Sequence, residues 1–332
     1  MLTAKICLLL LLTALCTPPA LLADTFGAGN NQFTIDFVTI GNPGNPVDTT
    51  GAPNPAGSVP YVYRMGKYEI SREAIEKANA EGNLGITLHP MSGVTGGARP
   101  ATPATGVSWN EAARFVNYLN TSQGYPAAYK FGKQPGDVGY DPNGDIILRK
   151  PTDPGYDANN LFRNSQAHYF LPSVNEWYKS AFYDPNANGG VGGYWNYATG
   201  SDSVPTPVAS GTNPGTAVWL REFKQGPADI TQAGGLSPYG TMAQSGNVWE
   251  WEETEYDLLN DGRSSVRGLR GGFWNYNGPD YLSASGRVRD ASPSHGFDGF
   301  EGFRVASIPE PSTGLLGMLG MLGLMQRRRR SR

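Results

Sequence analysis

The sequence predicts an α+β fold with few helices, short strands and long ordered loops. Two Ser-x-x-Glu segments that open amphipathic runs indicate helices, and several short segments alternate apolar and polar residues. The 44 glycines and 26 prolines indicate much irregular backbone between these elements. Because the 17 tyrosines and the other aromatic residues are spread along the whole chain, we expect a packed core rather than disorder.

The predicted strands rest on alternation, as at Phe33, or on short apolar runs bounded by turn residues. They cover residues 33–40, 61–70, 217–222, 245–253, 268–274 and 302–306. The intervening segments 41–60 and 189–240 are rich in turn-forming residues and are expected to be ordered loops. No repeat at the periods of solenoids or propellers is visible.

Three helices are predicted, each from a serine that can cap the first turn. Ser71 begins a helix that extends to Ala80. Ser108 and Ser173 each precede a glutamate by three positions, which completes a capping box. The apolar residues that follow fall on one face of each helix, and we expect that face to be buried. These residues are Trp109, Ala112, Val116 and Leu119 in one helix, and Val174, Trp177 and Ala181 in the other.

The N-terminus has the composition of a secretory signal peptide. Lys5 precedes the unbroken apolar stretch 6–12, and a small residue stands at Ala23. Residues 1–23 are therefore predicted to be removed, so that the mature chain begins near Asp24. The alternative is a membrane anchor, but the apolar stretch is shorter than the about 20 residues that a spanning helix needs.

The C-terminal segment, residues 308–332, has three parts in order: Pro-Glu-Pro at 309–311, an apolar stretch at 314–325, and four arginines at 327–330. This order resembles the PEP-CTERM sorting signal of exported bacterial proteins. The resemblance implies recognition by an exosortase-type protease, transient membrane association through the apolar segment, and a location in the cell envelope or extracellular matrix. A plain membrane tail is the alternative, and it would leave the domain on the same side of the membrane.

Residues 24–307 are predicted to form the folded domain. The formal net charge of −3, with scattered signs and no basic stripe, argues against a nucleic-acid partner. The only cysteines, Cys7 and Cys16, lie in the predicted signal peptide. The mature domain therefore has no thiol for a disulfide or for a metal site.

Four segments of the domain occur in a fixed order and carry a family resemblance. They are 107–112 (VSWNEA), 171–177 (LPSVNEW), 246–251 (GNVWEW), and 270–274 (RGGFW) with 302–304 (GFR). Together they resemble the formylglycine-generating enzyme family, also called sulfatase-modifying factor, over roughly residues 35–307. The resemblance implies a C-type lectin-like variant of the formylglycine-generating enzyme fold.

The third segment contains candidate calcium ligands. Asn247 and Glu250 supply oxygen atoms of the type that calcium prefers. The resemblance also implies calcium here, because family members commonly hold the ion around this segment. The alternative is that Asn247 satisfies turn backbone and Glu250 pairs with an arginine. Arg304 is expected to pair with a buried acid, and Arg270 with its two following glycines is expected to be structural.

In the oxidase members of the family, two cysteines between Arg-Gly-Gly and Gly-Phe-Arg bind copper. Here Ser283 stands about where one of them is expected. A serine hydroxyl cannot replace a thiolate as a Cu(I) ligand, so neither copper nor formylglycine-generating oxidase activity is expected. Other relatives hold iron with histidines, which would require His89, His168 and His295 to converge.

In some relatives the segment between Arg-Gly-Gly and Gly-Phe-Arg displays a ligand-binding surface. Here it mixes aromatic anchors with adaptable polar groups, which favours binding over an inert loop. The predicted surface comprises Trp274, Tyr276, Asn277, Asp280, Tyr281, Arg287, Arg289, Asp290 and His295. The sequence thus predicts a non-catalytic binding or structural module facing envelope polysaccharide or protein. The alternative is an oxidoreductase with altered oxygen and histidine ligands.

Overall fold

The computed structural model describes residues 22–289, 292–296 and 299–309. Most of the predicted signal peptide, the sorting segment from residue 310 onward, and Asp290 lie outside the described residues. Within the described ranges, no helix has the length and apolar character needed to cross a membrane.

The described chain forms strands β1 to β13 and helices α1 to α4. The strands are β1 (Leu22–Phe26), β2 (Phe33–Ile40), β3 (Tyr63–Gly66), β4 (Tyr169–Phe170), β5 (Tyr183–Asp184), β6 (Gly193–Tyr194), β7 (Thr206–Pro207), β8 (Thr216–Ala217), β9 (Trp249–Glu255), β10 (Arg267–Arg270), β11 (Arg287–Arg289), β12 (Glu301–Gly302) and β13 (Ala306–Ser307). The helices are α1 (Arg72–Gly82), α2 (Trp109–Ser122), α3 (Val174–Phe182) and the single turn α4 (Ala187–Gly190). Short 3₁₀ helices cover Gly29–Asn31, Phe223–Gln225 and Asp280–Leu282.

Two sheets organise the fold. The first has the strand order β1-β2-β3-β13-β4 and is antiparallel, whereas the second has the order β11-β10-β9-β12, in which β12 runs parallel to β9. The largest hydrophobic core joins both sheets to α1 and α2. Its fully buried members include Phe26, Phe37, Ile75, Trp109, Phe115, Trp251, Leu269 and Phe303. The α+β prediction is confirmed.

The three predicted helices are present with the predicted caps. The Ser71 hydroxyl accepts a hydrogen bond from the amide of Ala74 at 3.2 Å, and α1 extends two residues past Ala80. Ser108 and Ser173 both form complete capping boxes. The apolar faces predicted for α2 and α3 are buried, which fixes both helices against the rest of the domain.

The predicted strand 33–40 is confirmed as β2, but other predicted strands differ in extent. The strand predicted over 61–70 is shorter in the structure, where β3 covers only Tyr63–Gly66. The strand predicted over 245–253 begins and ends later, as β9 at Trp249–Glu255. The prediction 268–274 is wrong after residue 270. Gly271 and Gly272 adopt φ of 92° and 75°, left-handed values that extended strands do not contain.

Two further strand predictions fail because the chain turns within them. Residues 302–306 do not form one strand, since β12 belongs to one sheet and β13 to the other. The prediction 217–222 is wrong beyond Ala217, because Leu220 has φ of 54° and its amide donates to the carbonyl of Tyr276. Strand β1 has no sequence prediction, and the predicted cleavage near Asp24 falls within it.

Strand β9 carries four glutamates, Glu250, Glu252, Glu253 and Glu255, whose side chains are all excluded from solvent. Each pairs with an arginine from another part of the chain. Glu250 pairs with Arg304, and Glu252 pairs with both Arg270 and Arg287. Glu253 pairs with Arg163, and Glu255 pairs with Arg267. A buried carboxylate requires such a partner, because desolvation of an isolated charge costs far more than the fold can supply. The predicted pairing of Arg304 with a buried acid is confirmed.

Candidate binding surface

Five partly exposed aromatic rings form a continuous row that we call the aromatic patch: Tyr281, Tyr276, Phe273, Phe300 and Phe223. Successive ring centroids lie 4.5, 5.7, 4.3 and 6.0 Å apart. Phe223 has 39% of its surface exposed, which is a large exposure for a phenylalanine. A contiguous row of aromatic rings at the surface is typical of an interaction site rather than of random exposure.

Two tryptophans lie beneath the aromatic patch and fix its rings. Trp249 is 6% exposed and its ring lies 5.1 Å from that of Tyr281. Trp274 has no exposed surface, packs 4.9 Å from Phe300, and donates from Nε1 to the carbonyl of Phe223 at 3.3 Å. The prediction that Trp274 belongs to the binding surface is therefore wrong. Its large apolar ring is used to support the surface rings from below.

Polar groups stand at the tyrosine end of the patch. Asn277 and Asp280 are exposed, and neither side chain makes a hydrogen bond to the described part of the chain. Partial burial, followed by the hydroxyl of Tyr281 as hydrogen-bond partner and the charge of Asp280, raises the pKa of Tyr276. The raised pKa keeps the Tyr276 hydroxyl protonated at neutral pH, so it can donate a hydrogen bond. Four of the predicted residues therefore lie together, and two of them, Asn277 and Asp280, have side chains with no hydrogen-bond partner among the described residues.

The remaining predicted surface residues do not join this group. The Arg287 side chain is only 4% exposed, because its guanidinium pairs with Glu252 and donates to the carbonyls of Tyr256 and Glu255. Its assignment to the surface is wrong. Arg289 is exposed on β11, and His295 is exposed beside Ser294. Within the described ranges, no hydrogen bond or ring contact joins either residue to the aromatic patch.

The two candidate calcium ligands have protein partners. Asn247 accepts the amide of Ala228 on Oδ1 at 2.8 Å and donates from Nδ2 to Glu69 at 2.6 Å. The two carboxylate oxygens of Glu250 accept from the Arg304 guanidinium, each at 2.5 Å. These contacts match the alternative interpretation, in which Asn247 satisfies backbone groups and Glu250 pairs with an arginine. A calcium ion bound to Glu250 would have to displace the guanidinium of Arg304. Asn247 and Glu250 therefore do not fit a calcium site in this arrangement.

Glu69, beside Asn247, makes no ion pair within the described residues, unlike the four buried glutamates of β9. Its Oε1 accepts the amide of Val248 at 3.3 Å. Burial, followed by the negative charge of Glu250, raises the pKa of Glu69 well above its ordinary value. A protonated Glu69 beside the Glu250–Arg304 pair leaves that pair electrically neutral.

The three histidines and Ser283, which were considered for catalysis, each have different contacts. His89 accepts the amide of Met91, His168 stacks on Tyr125, and His295 is exposed. The Ser283 hydroxyl donates to the carbonyl of Asp280 at 2.7 Å. Across the described residues, no three side chains of the His, Cys, Asp or Glu types are grouped to hold a metal ion.

Sequence reasoning missed three of the five patch residues. Phe273 lies inside the Arg-Gly-Gly segment and the predicted strand 268–274, whereas Phe300 precedes the Gly-Phe-Arg segment. Phe223 comes from the long loop 189–240, fifty residues away from Phe273 in the chain. Its exposure next to Trp274 follows from the tertiary arrangement, because Phe223 lies just after the predicted strand 217–222 and no periodic pattern marks the residues that follow it.

A cavity of about 540 Å³ lies elsewhere and includes Tyr61, Arg163 and Asn160 among its lining residues. The polar groups of its floor are engaged with one another. Arg163 pairs with Glu176 and Glu253, and Tyr61 donates to Glu176 at 2.6 Å. Burial would raise the pKa of Glu176, but the adjacent Arg163 lowers it below the ordinary value. This floor stabilises the fold.

Comparisons with known proteins agree with this architecture. The chain matches the Sulfatase-modifying factor enzyme 1-like domain over residues 36–308 and the PEP-CTERM protein-sorting motif over residues 307–330. Comparison with curated proteins finds no match.

Two solved structures share the fold. Treponema denticola variable protein 1 aligns with a TM-score of 0.55 at 18% identity, covering 86% of this chain and 99% of that one. The protein CarF aligns with a TM-score of 0.52 at 19% identity, covering 83% and 99%. At these identities the likeness concerns the fold alone.

The fold and the four ordered segments define a protein of the sulfatase-modifying factor class. Because the match extends over more than half of its length, the chain belongs to the family of the sulfatase-modifying factor enzyme 1-like domain. The sorting motif indicates an exported protein that is sorted to the cell envelope, and it implies recognition by an exosortase-type processing enzyme.

Proposed function

We propose that this protein is a non-catalytic carbohydrate-binding module, retained at the cell surface, whose binding site is the aromatic patch. The observation that carries the proposal is the row of five partly exposed rings beside the unpartnered side chains of Asn277 and Asp280. The apolar C–H face of a sugar ring packs well on a flat aromatic ring. Carboxylate, amide and tyrosine hydroxyl groups bind sugar hydroxyls.

A non-catalytic role is supported by the composition of the domain. Residues 24–332 contain no cysteine, and copper in the oxidase relatives requires thiolates. The patch and its polar neighbours contain no nucleophile held by a base, since their side chains are three phenyl rings, two tyrosines, the Asn277 amide and the Asp280 carboxylate. Rigid rings that are fixed by buried tryptophans lose little conformational entropy on binding, which suits recognition.

The test is a binding screen of the purified protein against envelope polysaccharide and a panel of neutral and acidic glycans, followed by isothermal titration calorimetry. Tyr276→Ala and Tyr281→Ala should each weaken binding by about tenfold or more, because each removes a ring that a sugar can cover. Tyr140→Ala is the matched control. Tyr140 is a partly exposed tyrosine that donates to Leu84 and belongs to a different part of the surface.

A protein that is folded by circular dichroism and binds no glycan would contradict the proposal. So would glycan binding that is lost equally in the Tyr140→Ala control and in the patch variants. Turnover of a thiol-containing peptide to formylglycine by the metal-reconstituted protein would show that it is an enzyme.

A further inference from the structure

A cavity of about 500 Å³ lies beside the phenylalanine end of the aromatic patch, and we call it the basic pocket. Its lining includes three cationic side chains and one carboxylate: Arg99, Arg221, Lys224 and Asp229. Asp229 pairs with Arg99 at 2.5 Å. The remaining nearby carboxylate, Glu222, is directed to the backbone amide of Gln225.

Two of these cations have no acidic partner. The Lys224 ammonium is exposed and makes no hydrogen bond or ion pair to the described residues. Arg221 donates to the carbonyls of Gly226 and Gln225, and its Nε is buried without a hydrogen-bond partner in the described structure. Burial, followed by the positive charge of Arg99, lowers the pKa of Arg221. The pocket therefore brings together positive charges that the chain does not neutralise.

The basic pocket and the aromatic patch share one rigid segment. The amide of Arg221 donates to the carbonyl of Trp274 at 2.8 Å, and the Asn275 side chain donates to the Arg221 carbonyl at 2.7 Å. Phe223, the last ring of the patch, directly precedes Lys224 in the 3₁₀ helix Phe223–Gln225. A chain-like ligand that covers the rings would thus extend over the cations.

We infer that the ligand is an acidic polysaccharide, in which a carboxylate or sulfate group occupies the basic pocket while neighbouring sugar rings cover the aromatic patch. This inference rests on the proposed function and specifies its ligand. Arginine and lysine are the residues that bind such anions, through charge-assisted hydrogen bonds. Asp280, at the opposite end of the row, repels a second anionic group there and so favours one orientation of the chain.

The experiment compares chemically matched ligands. Polygalacturonate is set against its methyl-esterified form, dextran sulfate against dextran, and envelope polysaccharide against its carboxyl-reduced and desulfated forms. We expect at least one acidic member to bind about tenfold more tightly than its neutral counterpart, with an affinity that falls as salt rises from 50 to about 300 mM. The pair that shows the difference distinguishes carboxylate from sulfate.

Lys224→Gln is the informative variant, because the Lys224 side chain makes no hydrogen bond or ion pair to the described residues that the substitution could remove. This substitution should weaken the binding of acidic ligands about fivefold and leave the binding of neutral ligands unchanged. Lys150→Gln, at another exposed lysine whose side chain makes no hydrogen bond to the described residues, is the matched control. Equal affinity for acidic and neutral forms, unaffected by Lys224→Gln but reduced by Tyr281→Ala, would overturn the inference and leave the proposed function standing. Absence of all glycan binding would overturn both.

Discussion

Glu250 and Arg304 form a doubly hydrogen-bonded ion pair that is completely excluded from solvent. The pair connects β9 to the segment between β12 and β13, so it joins two of the four sequence segments that define the family. Glu250 also accepts the indole Nε1–H of Trp177 at 2.6 Å, which adds the segment 171–177 to the same cluster.

Removal of one member of this pair should be strongly destabilising. Arg304→Met leaves the Glu250 carboxylate buried without its partner, and we expect a loss of about 3–5 kcal/mol in the free energy of unfolding. Denaturant unfolding of Arg304→Met, Glu250→Gln and the double variant measures this cost. The double variant should lose less than the sum of the single losses. Additive losses would show that the two side chains do not interact.

Trp274 and Tyr276 should respond differently to truncation, although both were predicted to be surface residues. Trp274→Ala removes a fully buried indole and should lower the free energy of unfolding by about 3–5 kcal/mol. Tyr276→Ala should cost about 1 kcal/mol or less, because its ring is partly exposed. Thermal and urea unfolding measure both. A small loss for Trp274→Ala would contradict its role as the support of the patch.

Lys179 should make the stability of the protein depend on pH in the alkaline range. The side chain is fully buried, with one hydrogen bond to the carbonyl of Asn42 at 2.9 Å, and burial lowers the pKa of Lys179 to about 8. Its ordinary pKa is about 10.4. Between about pH 8 and pH 10 the lysine is protonated in the unfolded chain but not in the folded chain. The contribution of Lys179 to the free energy of unfolding therefore rises with pH.

The variant Lys179→Met isolates this effect, since it keeps the aliphatic volume and removes the titrating group. The difference in stability between Lys179→Met and the natural chain should be largest below about pH 8 and should shrink up to about pH 10. Urea unfolding across this range gives the difference directly. A constant difference would show that the lysine titrates alike in both states.

Calcium should not stabilise the protein through Asn247 and Glu250, because both side chains are satisfied by protein partners. We expect the unfolding temperature to be the same in calcium and in chelator. Magnesium at the same ionic strength serves as the control. If calcium raised the unfolding temperature in a saturable way and Asn247→Ala abolished that rise, the result would instead support the predicted calcium site.

Sequence patterns identified those parts of the fold that depend on local interactions. The capping boxes at Ser108 and Ser173 involve residues three positions apart, so they are visible in the sequence and present in the structure. The alternation from Phe33 predicts β2 because one face of that strand is buried. Strands β12 and β13 have only two residues each, which is too short for an alternating pattern. They are held by hydrogen bonds to strands that are distant in the sequence.

The candidate site was only half visible in the sequence. Tyr276, Asn277, Asp280 and Tyr281 are close in the chain and remain close in space. Composition alone could not separate Tyr276 from Trp274, because both are aromatic and stand two residues apart. The turn after Gly272 directs Trp274 into the core, and that turn depends on the carbonyl of Asn247, which accepts the Trp274 amide.

The sequence by itself determined the family, the class of fold, the C-terminal sorting motif and the absence of cysteine from residues 24–332, because these properties reside in residue identity and short spacing. Only the tertiary structure decided which arginines neutralise the glutamates of β9 and which aromatic rings reach the surface. It also placed the loop around Phe223 and Lys224 against Trp274. Those arrangements depend on contacts between residues that are far apart in the chain, and no local pattern encodes them.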